Sequence, residues 1–218
     1  EFRRVLFRSV QQVFTQAGVR LSDIQTYMRV NNLALIVSNN VTTRDRNDKQ
    51  QPYNLRVLNT ATQTLGASGR IYDVSHLQIF QADQIRGIGG IATPNPGRRV
   101  LAQILHEPTV RNPPLANAPA GSVAIAADGS MAAFVPARRA VSWQLTGPTG
   151  VPVVRERYWV TMQPGEVRVC TSCHGLNTAD QANQPPPVNP PQALQQLLAF
   201  WQAGEMPSAP RNLRVLRP

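Results

Sequence analysis

The chain has 218 residues, 42% of them hydrophobic, and a mean hydropathy of −0.25, a composition typical of a globular protein with a substantial core. No apolar run reaches the roughly 18 residues that a membrane-spanning helix needs. The formal net charge is +10, but the arginines are scattered singly or in pairs, without a basic run or interleaved aromatic residues. This distribution argues against nucleic acid as a partner.

Both ends of the chain have unusual sequences. The first nine residues, "EFRRVLFRS", match the translation of a sequencing-library adapter, so we interpret residues 1–9 as an artefact outside the fold. Residues 205–218 read as a linker or the start of a further domain. We therefore expect the chain to be a fragment of a larger protein, incomplete at both ends.

Residues 10–118 are predicted to be mostly β structure. The segment "NNLALIVSNNV" has a five-residue apolar run between asparagine pairs, which is typical of a buried strand. The segments "NLRVL" and "RIYDVSHLQIF" are further strand candidates, because they are rich in β-branched and aromatic residues. Glycine and proline predict a loop over residues 86–99 and an extended connector over residues 111–121.

Residues 119–182 are predicted to form a β-meander. Asp128-Gly129 suits a two-residue hairpin turn, and three further strands are predicted over residues 131–135, 140–145 and 151–162. In "QPGE", Pro164 and Gly165 occupy the two central positions of a type II turn. The chain then runs through "VRVC" into the sequence "VCTSCHG".

A proline-rich spacer over residues 183–191 precedes a predicted amphipathic helix over residues 192–204. Asn189 is the expected cap, with proline in the first turn. The apolar face repeats at i, i+3, i+4 and i+7 and consists of Leu194, Leu197, Leu198 and Trp201. We expect this face to pack on the sheet, although covering a cofactor is an alternative.

Both cysteines of the chain lie in "VCTSCHG", with His174 directly after the second one. Two intervening residues allow the thiols of Cys170 and Cys173 to reach the two vinyl groups of a porphyrin, and the adjacent histidine can then bind the iron. A zinc site requires a second Cys or His pair, and His76 and His106 are far apart in sequence. A redox disulfide or inert thiols remain open, although no βαβ rhythm surrounds the motif.

The segment "DGSMAAFVPARRAVSWQLTGPTGVPVVRERYWVTMQPGEVRVCTSCHG" resembles the haem-bearing segment of proteins related to the hydrazine synthase alpha subunit. The resemblance implies a secreted or periplasmic protein that carries haem c on a β-rich scaffold. Of that family's site residues, only Cys170, Cys173 and His174 carry over. The family's catalytic haem uses a tyrosine shortly after the motif, and this chain has none after Tyr158, so hydrazine synthesis is not expected.

The ligand opposite His174 would decide what the haem does. His106 is the leading candidate for this metal position, and the others are His76, Met131, Met162 and Met206. We therefore predict a mainly β protein, sandwich or meander-like, with a CxxCH haem loop and one or two short helices. Its predicted role is one-electron transfer to a redox partner protein or an adjacent haem domain. The alternatives are an open-site haem enzyme module for a small nitrogen or oxygen compound, and a β binding module with a thiol or zinc structural motif.

Overall fold

A computed structural model describes residues 2–49, 51–86, 98–170 and 178–205. Within these ranges there are three helices: α1 (Phe2–Gln16), α2 (Leu21–Val30) and α3 (Gln192–Glu205). The first six strands are β1 (Leu33–Ser38), β2 (Leu55–Val57), β3 (Gln63–Thr64), β4 (Tyr72–Val74), β5 (His76–Arg86) and β6 (Arg98–Ile104). The other six are β7 (Ser122–Ala124), β8 (Met131–Pro136), β9 (Ala140–Thr146), β10 (Pro152–Arg155), β11 (Val160–Thr161) and β12 (Val167–Cys170). The mainly β prediction is confirmed, with one helix more than expected.

The central layer is a three-stranded sheet in the order β12-β1-β8. Strand β1 runs parallel to β12 and antiparallel to β8, and all six of its residues are buried. The predicted buried strand is therefore confirmed. Its residues are apolar on both faces because both faces of the sheet are covered.

Alternate residues of the central sheet belong to two separate cores. Leu33, Leu35 and Val37 of β1 pack with the helices, whereas Ala34 and Ile36 pack against a second, larger sheet. The period of two along the strand separates these faces. The described residues thus form three layers: helices, the central sheet and the larger sheet.

The larger sheet has the order β10-β9-β5-β6, with β7 also paired to β5 and β11 to β9. A third, small sheet has the strand order β3-β2-β4. All three sheets are open. Among the helices of the described ranges, none is both long and apolar enough to span a membrane.

The β-meander predicted over residues 119–182 is wrong in its pairing. β7 joins the larger sheet and β8 the central one, so the turn at Asp128-Gly129 connects two sheets instead of closing a hairpin. The physical reason is that β8 is apolar on both faces and needs a covered position. The long strand predicted over residues 151–162 is also divided, because the Glu156 carboxylate accepts the N–H groups of Arg157 and Tyr158 and turns the chain.

The prediction of mostly β structure from residue 10 is wrong for residues 10–30, which form the end of α1, a short turn and α2. Val10, Val13 and Phe14 recur at i, i+3 and i+4, and Ile24 and Met28 at i and i+4, and all are buried. The helical period was therefore present in the sequence. The helix α1 also includes residues 2–9, and whether these are an adapter artefact stays a prediction.

The predicted helix α3 is confirmed, and Leu194, Leu197 and Leu198 are buried in the helical-layer core. The helix packs on β8 and α1, which agrees with the expectation that its apolar face packs on the sheet. The predicted Asn189 cap is wrong: the first turn is capped by the Asp128-Gly129-Ser130 turn. Asp128 Oδ2 accepts the Gln192 N–H at 3.0 Å, and Ser130 Oγ accepts the Ala193 N–H at 2.9 Å.

Removing the carboxylate that caps α3 is expected to destabilise the protein. We expect Asp128→Ala to lower the free energy of unfolding by about 2–3 kcal/mol, because the helix loses a cap and Ser130 loses two hydrogen bonds to Asp128 Oδ1. Chemical denaturation followed by circular dichroism measures the loss. The neighbouring exposed residue provides a control, since Ala127→Ser removes no contact of the carboxylate. An equal loss in both variants would refute the capping role.

Candidate functional site

The cysteine motif begins where a parallel strand ends. Cys170 is the last residue of β12 and is paired in register with Ser38, and its carbonyl accepts the Asn39 N–H at 3.1 Å. Cys173 and His174 lie outside the described residues. The structure therefore positions the first thiol of the motif, while the spacing to the second thiol and the imidazole stays a prediction.

The chain on the other side of the motif is bonded to the segment that follows β1. Arg46 N donates to the Ala179 carbonyl at 3.1 Å, and Gln181 N donates to the Arg44 carbonyl at 3.1 Å. Asp45 and Asp180 form an isolated antiparallel bridge between these hydrogen bonds. Residues 39–46 thus bond to the described backbone on both sides of residues 171–177, which the sequence predicts to form the motif loop.

The Gln181 side chain strengthens this second anchor. It is buried, its Oε1 accepts the Arg44 N–H at 2.9 Å, and its Nε2 donates to the carbonyls of Thr42 at 2.9 Å and Tyr53 at 3.3 Å. One amide therefore satisfies three backbone groups that burial would otherwise leave without partners. Nothing in the sequence pattern indicated this residue, because its contacts are all distant in sequence.

The protonation of Cys170 is shaped by its surroundings. It carries a free thiol, and burial raises the pKa of that thiol; nearby Arg168 opposes the rise and Glu156 adds to it. A thiol with a raised pKa contains little thiolate at neutral pH and is a slow nucleophile in disulfide exchange.

Two buried polar atoms beside Cys170 lack hydrogen-bond partners among the described residues. They are Ser38 Oγ, on the residue paired with Cys170, and Asn39 Oδ1, on the next residue. Buried polar groups are normally satisfied, so these atoms indicate that a polar group or water completes the site.

The predicted type II turn is confirmed and fixes the start of β12. Gly165 has φ +83°, and the Glu166 N–H donates to the Gln163 carbonyl at 3.0 Å. Burial alone would raise the pKa of Glu166, but hydrogen bonds from the Gln163 N–H and from Arg168 outweigh it and hold this pKa below its ordinary value.

The lowered pKa of Glu166 predicts a pH dependence of stability. Because its folded-state pKa lies below the unfolded value, the carboxylate contributes stability above the unfolded pKa and loses it as the pH falls through the folded pKa. We expect Glu166→Gln to flatten the acid limb of the stability curve. Denaturation midpoints between about pH 3 and pH 7 measure this. Glu107→Gln is the control, and a flattening of the same size there would contradict the assignment.

His106, the leading candidate for the second iron ligand, lies after β6 and has both ring nitrogens engaged. Nδ1 is 2.8 Å from the Ile104 carbonyl oxygen, and Nε2 is 3.0 Å from Gln81 Nε2 and 3.2 Å from Asp83 Oδ2. A carbonyl only accepts, so this contact places a proton on Nδ1. Iron binding by Nε2 would require the ring to leave its contacts with Gln81 and Asp83.

The other candidate iron ligands have varied environments. His76 begins β5, and its buried Nδ1 has no hydrogen-bond partner among the described residues. Met131 and Met162 are 2% and 0% exposed and belong to the core between the central sheet and the larger sheet. Met206 lies outside the described residues. No cluster of three or more metal-binding side chains occurs within the described ranges.

The described residues define a three-layer, mainly β module in which Cys170 ends a strand that runs parallel to β1. Residues 73–175 match the family model of the hydrazine synthase alpha subunit middle domain. Through this segment the chain is related to the hydrazine synthase alpha subunit, which confirms that part of the predicted resemblance, whereas the haem stays a prediction. The matched segment includes Cys170, Cys173 and His174.

Among solved structures, the chain is similar to Kuenenia stuttgartiensis Hydrazine Synthase. The match has a TM-score of 0.41 and 14% sequence identity, and it covers 66% of this chain. The matched part is 17% of the length of that hydrazine synthase chain. No curated protein matches the sequence.

Proposed function

We propose that the chain is a module of a larger, exported redox protein and carries one haem c. The haem would be attached through thioether bonds to Cys170 and Cys173, with His174 as an axial ligand, and would pass one electron at a time to a partner protein or a neighbouring haem domain. The observation that carries the proposal is that both cysteines and the adjacent histidine occur together in the sequence of residues 170–174, within the family match, and that the described chain on both sides of this sequence is hydrogen-bonded to residues 39–46.

The described residues on both sides of the cysteine motif support this role. Cys170 presents a free thiol at a strand end, and residues 39–46 bond to the chain on both sides of the motif. A bound haem supplies the Fe(III)/Fe(II) couple. The chain's own contribution is to hold the motif on a rigid sheet, so that little reorganisation accompanies electron transfer. Export follows from the same proposal, since haem c is attached outside the cytoplasmic membrane.

A second candidate function is an open-site haem module that acts on a small nitrogen or oxygen compound. The contacts of His106 favour it, because both ring nitrogens are already engaged by Ile104, Gln81 and Asp83. The first proposal keeps His106 as the candidate iron ligand opposite His174. Electron paramagnetic resonance of the oxidised protein separates the two, since two strong axial ligands give a low-spin signal and an open position a high-spin one.

The decisive experiment is a pyridine haemochrome spectrum of the chain exported from cells with a c-type haem maturation system. We expect a thioether-linked haem that survives acid–acetone extraction and is lost in the Cys170→Ala/Cys173→Ala double variant. Ser172→Ala, which changes only an intervening position, should keep the haem and serves as the matched control. Absence of covalent haem in the unchanged chain would overturn the proposal.

A further inference from the structure

A cleft of about 820 Å³ opens on the larger sheet, beside β5 and β9. Of the residues that line it, only His106 has a part in the proposed function, as a candidate iron ligand. The cleft is lined by residues of β5, of the segment after β6, of the β8–β9 turn with the start of β9, and of the segment after β10: Ala82, Asp83, His106, Arg138, Arg139, Ala140 and Trp159. Its size suits a small organic molecule.

The charges in this cleft favour an anion. Asp83 is already neutralised, because its carboxylate pairs with the Arg139 guanidinium. Arg138 has no side-chain hydrogen bond or ion pair within the described part of the chain, and it is exposed to the cleft. Its guanidinium is therefore the uncompensated charge of the lining, available for a bidentate carboxylate.

The backbone of Arg138 is a second and independent observation. Five described residues other than glycine have a left-handed φ, and four of them are the asparagines Asn32, Asn59, Asn117 and Asn183. Arg138 is the exception, at φ +58°. Asparagine and glycine tolerate this conformation better than arginine does, so the turn alone gives no reason for arginine there. A strained residue that lines a cleft indicates that its side chain is needed.

The remaining lining can hold a ring. The indole of Trp159 is 42% exposed beside the cleft, and the alanines Ala82 and Ala140 leave open space between the charged groups. An exposed tryptophan face packs against flat or puckered rings. We propose that this cleft binds a small ring compound that bears a carboxylate, with the ring against Trp159 and the carboxylate paired with Arg138.

Isothermal titration of the full chain with two carboxylates and their neutral counterparts tests the proposal. The probes are benzoate against benzyl alcohol and glucuronate against glucose. We expect at least one carboxylate to bind about tenfold more tightly than its counterpart. Tighter benzoate binding would assign an aromatic acid, and tighter glucuronate binding an acidic sugar. Binding of neither acid, or equal binding of the neutral partners, would overturn the proposal.

Variants of Arg138 separate a binding role from a structural one. Arg138→Asn keeps a residue suited to the left-handed turn but removes the charge, so we expect about a tenfold loss of carboxylate affinity and an unchanged or higher melting temperature. Arg111→Gln, an exposed arginine outside the cleft, changes the net charge equally and should keep the affinity. Unchanged affinity in Arg138→Asn would overturn the assignment, whatever the haem content of the protein.

Discussion

Phe134→Ala is expected to lower the free energy of unfolding by about 3–5 kcal/mol. Phe134 is 1% exposed on β8, where it faces the helices, and its ring meets Tyr27 of α2 edge to face at a centroid distance of 5.6 Å. Tyr27 in turn contacts Trp201 of α3. Truncation therefore leaves a cavity at the point where two helices join the central sheet. Urea denaturation measured by tryptophan fluorescence gives the loss.

Phe80→Ala is the matched control for this prediction. Phe80 is only half-buried on β5 and contacts the Arg155 guanidinium, 5.0 Å from its ring centre. We expect the control to lose about 1–2 kcal/mol, since less apolar area is removed from a packed environment. Equal losses of unfolding free energy in the two variants would contradict the special importance of Phe134 for the helical layer.

The parts of the fold that sequence reasoning predicted correctly all have local signals. β1 is a continuous apolar run between asparagines, the turn before β12 has Pro164-Gly165, and α3 has an apolar face with helical spacing. These patterns depend on neighbours within a few residues. They indicate the type of each element, because the signal is contained in the residues of that element.

The pairing of the strands could not be predicted in the same way. The prediction treated β7 and β8 as a hairpin because Asp128-Gly129 is a common hairpin turn. In the structure the two strands belong to different sheets, since covering both apolar faces of β8 outweighs the local preference of the turn. The carboxylate of that turn caps α3 instead, a contact between residues far apart in sequence.

The candidate site shows the same division. The spacing of Cys170, Cys173 and His174 predicts haem attachment because the chemistry of the motif is contained in five residues, and this stays a prediction. The anchors of the loop had no such signal: Gln181 and Arg44 are ordinary residues whose importance follows from distant backbone partners. Arg138 was equally hidden, because a left-handed turn is expected to carry asparagine or glycine.

Gln181→Leu is expected to lower the free energy of unfolding by about 3 kcal/mol. Leucine fills much of the same volume, but it leaves the Arg44 N–H and the carbonyls of Thr42 and Tyr53 without the partners that the amide supplied. The loss should concentrate at the second anchor of the motif loop. We therefore expect faster hydrogen exchange at the Arg44 amide together with the lower denaturation midpoint.

Two further variants make this prediction specific. Gln184→Leu changes an exposed glutamine three residues after Gln181 and should alter stability by less than about 0.5 kcal/mol. Gly66→Ala should mimic Gln181→Leu, because its added Cβ would collide with the Gln181 carbonyl oxygen and lie 2.5 Å from the Tyr53 ring. If Gln184→Leu proved as damaging as Gln181→Leu, the loop would be held by general packing. If only the two variants that disturb the anchor release the Arg44 amide, the buried amide is what ties the motif loop to the segment after β1.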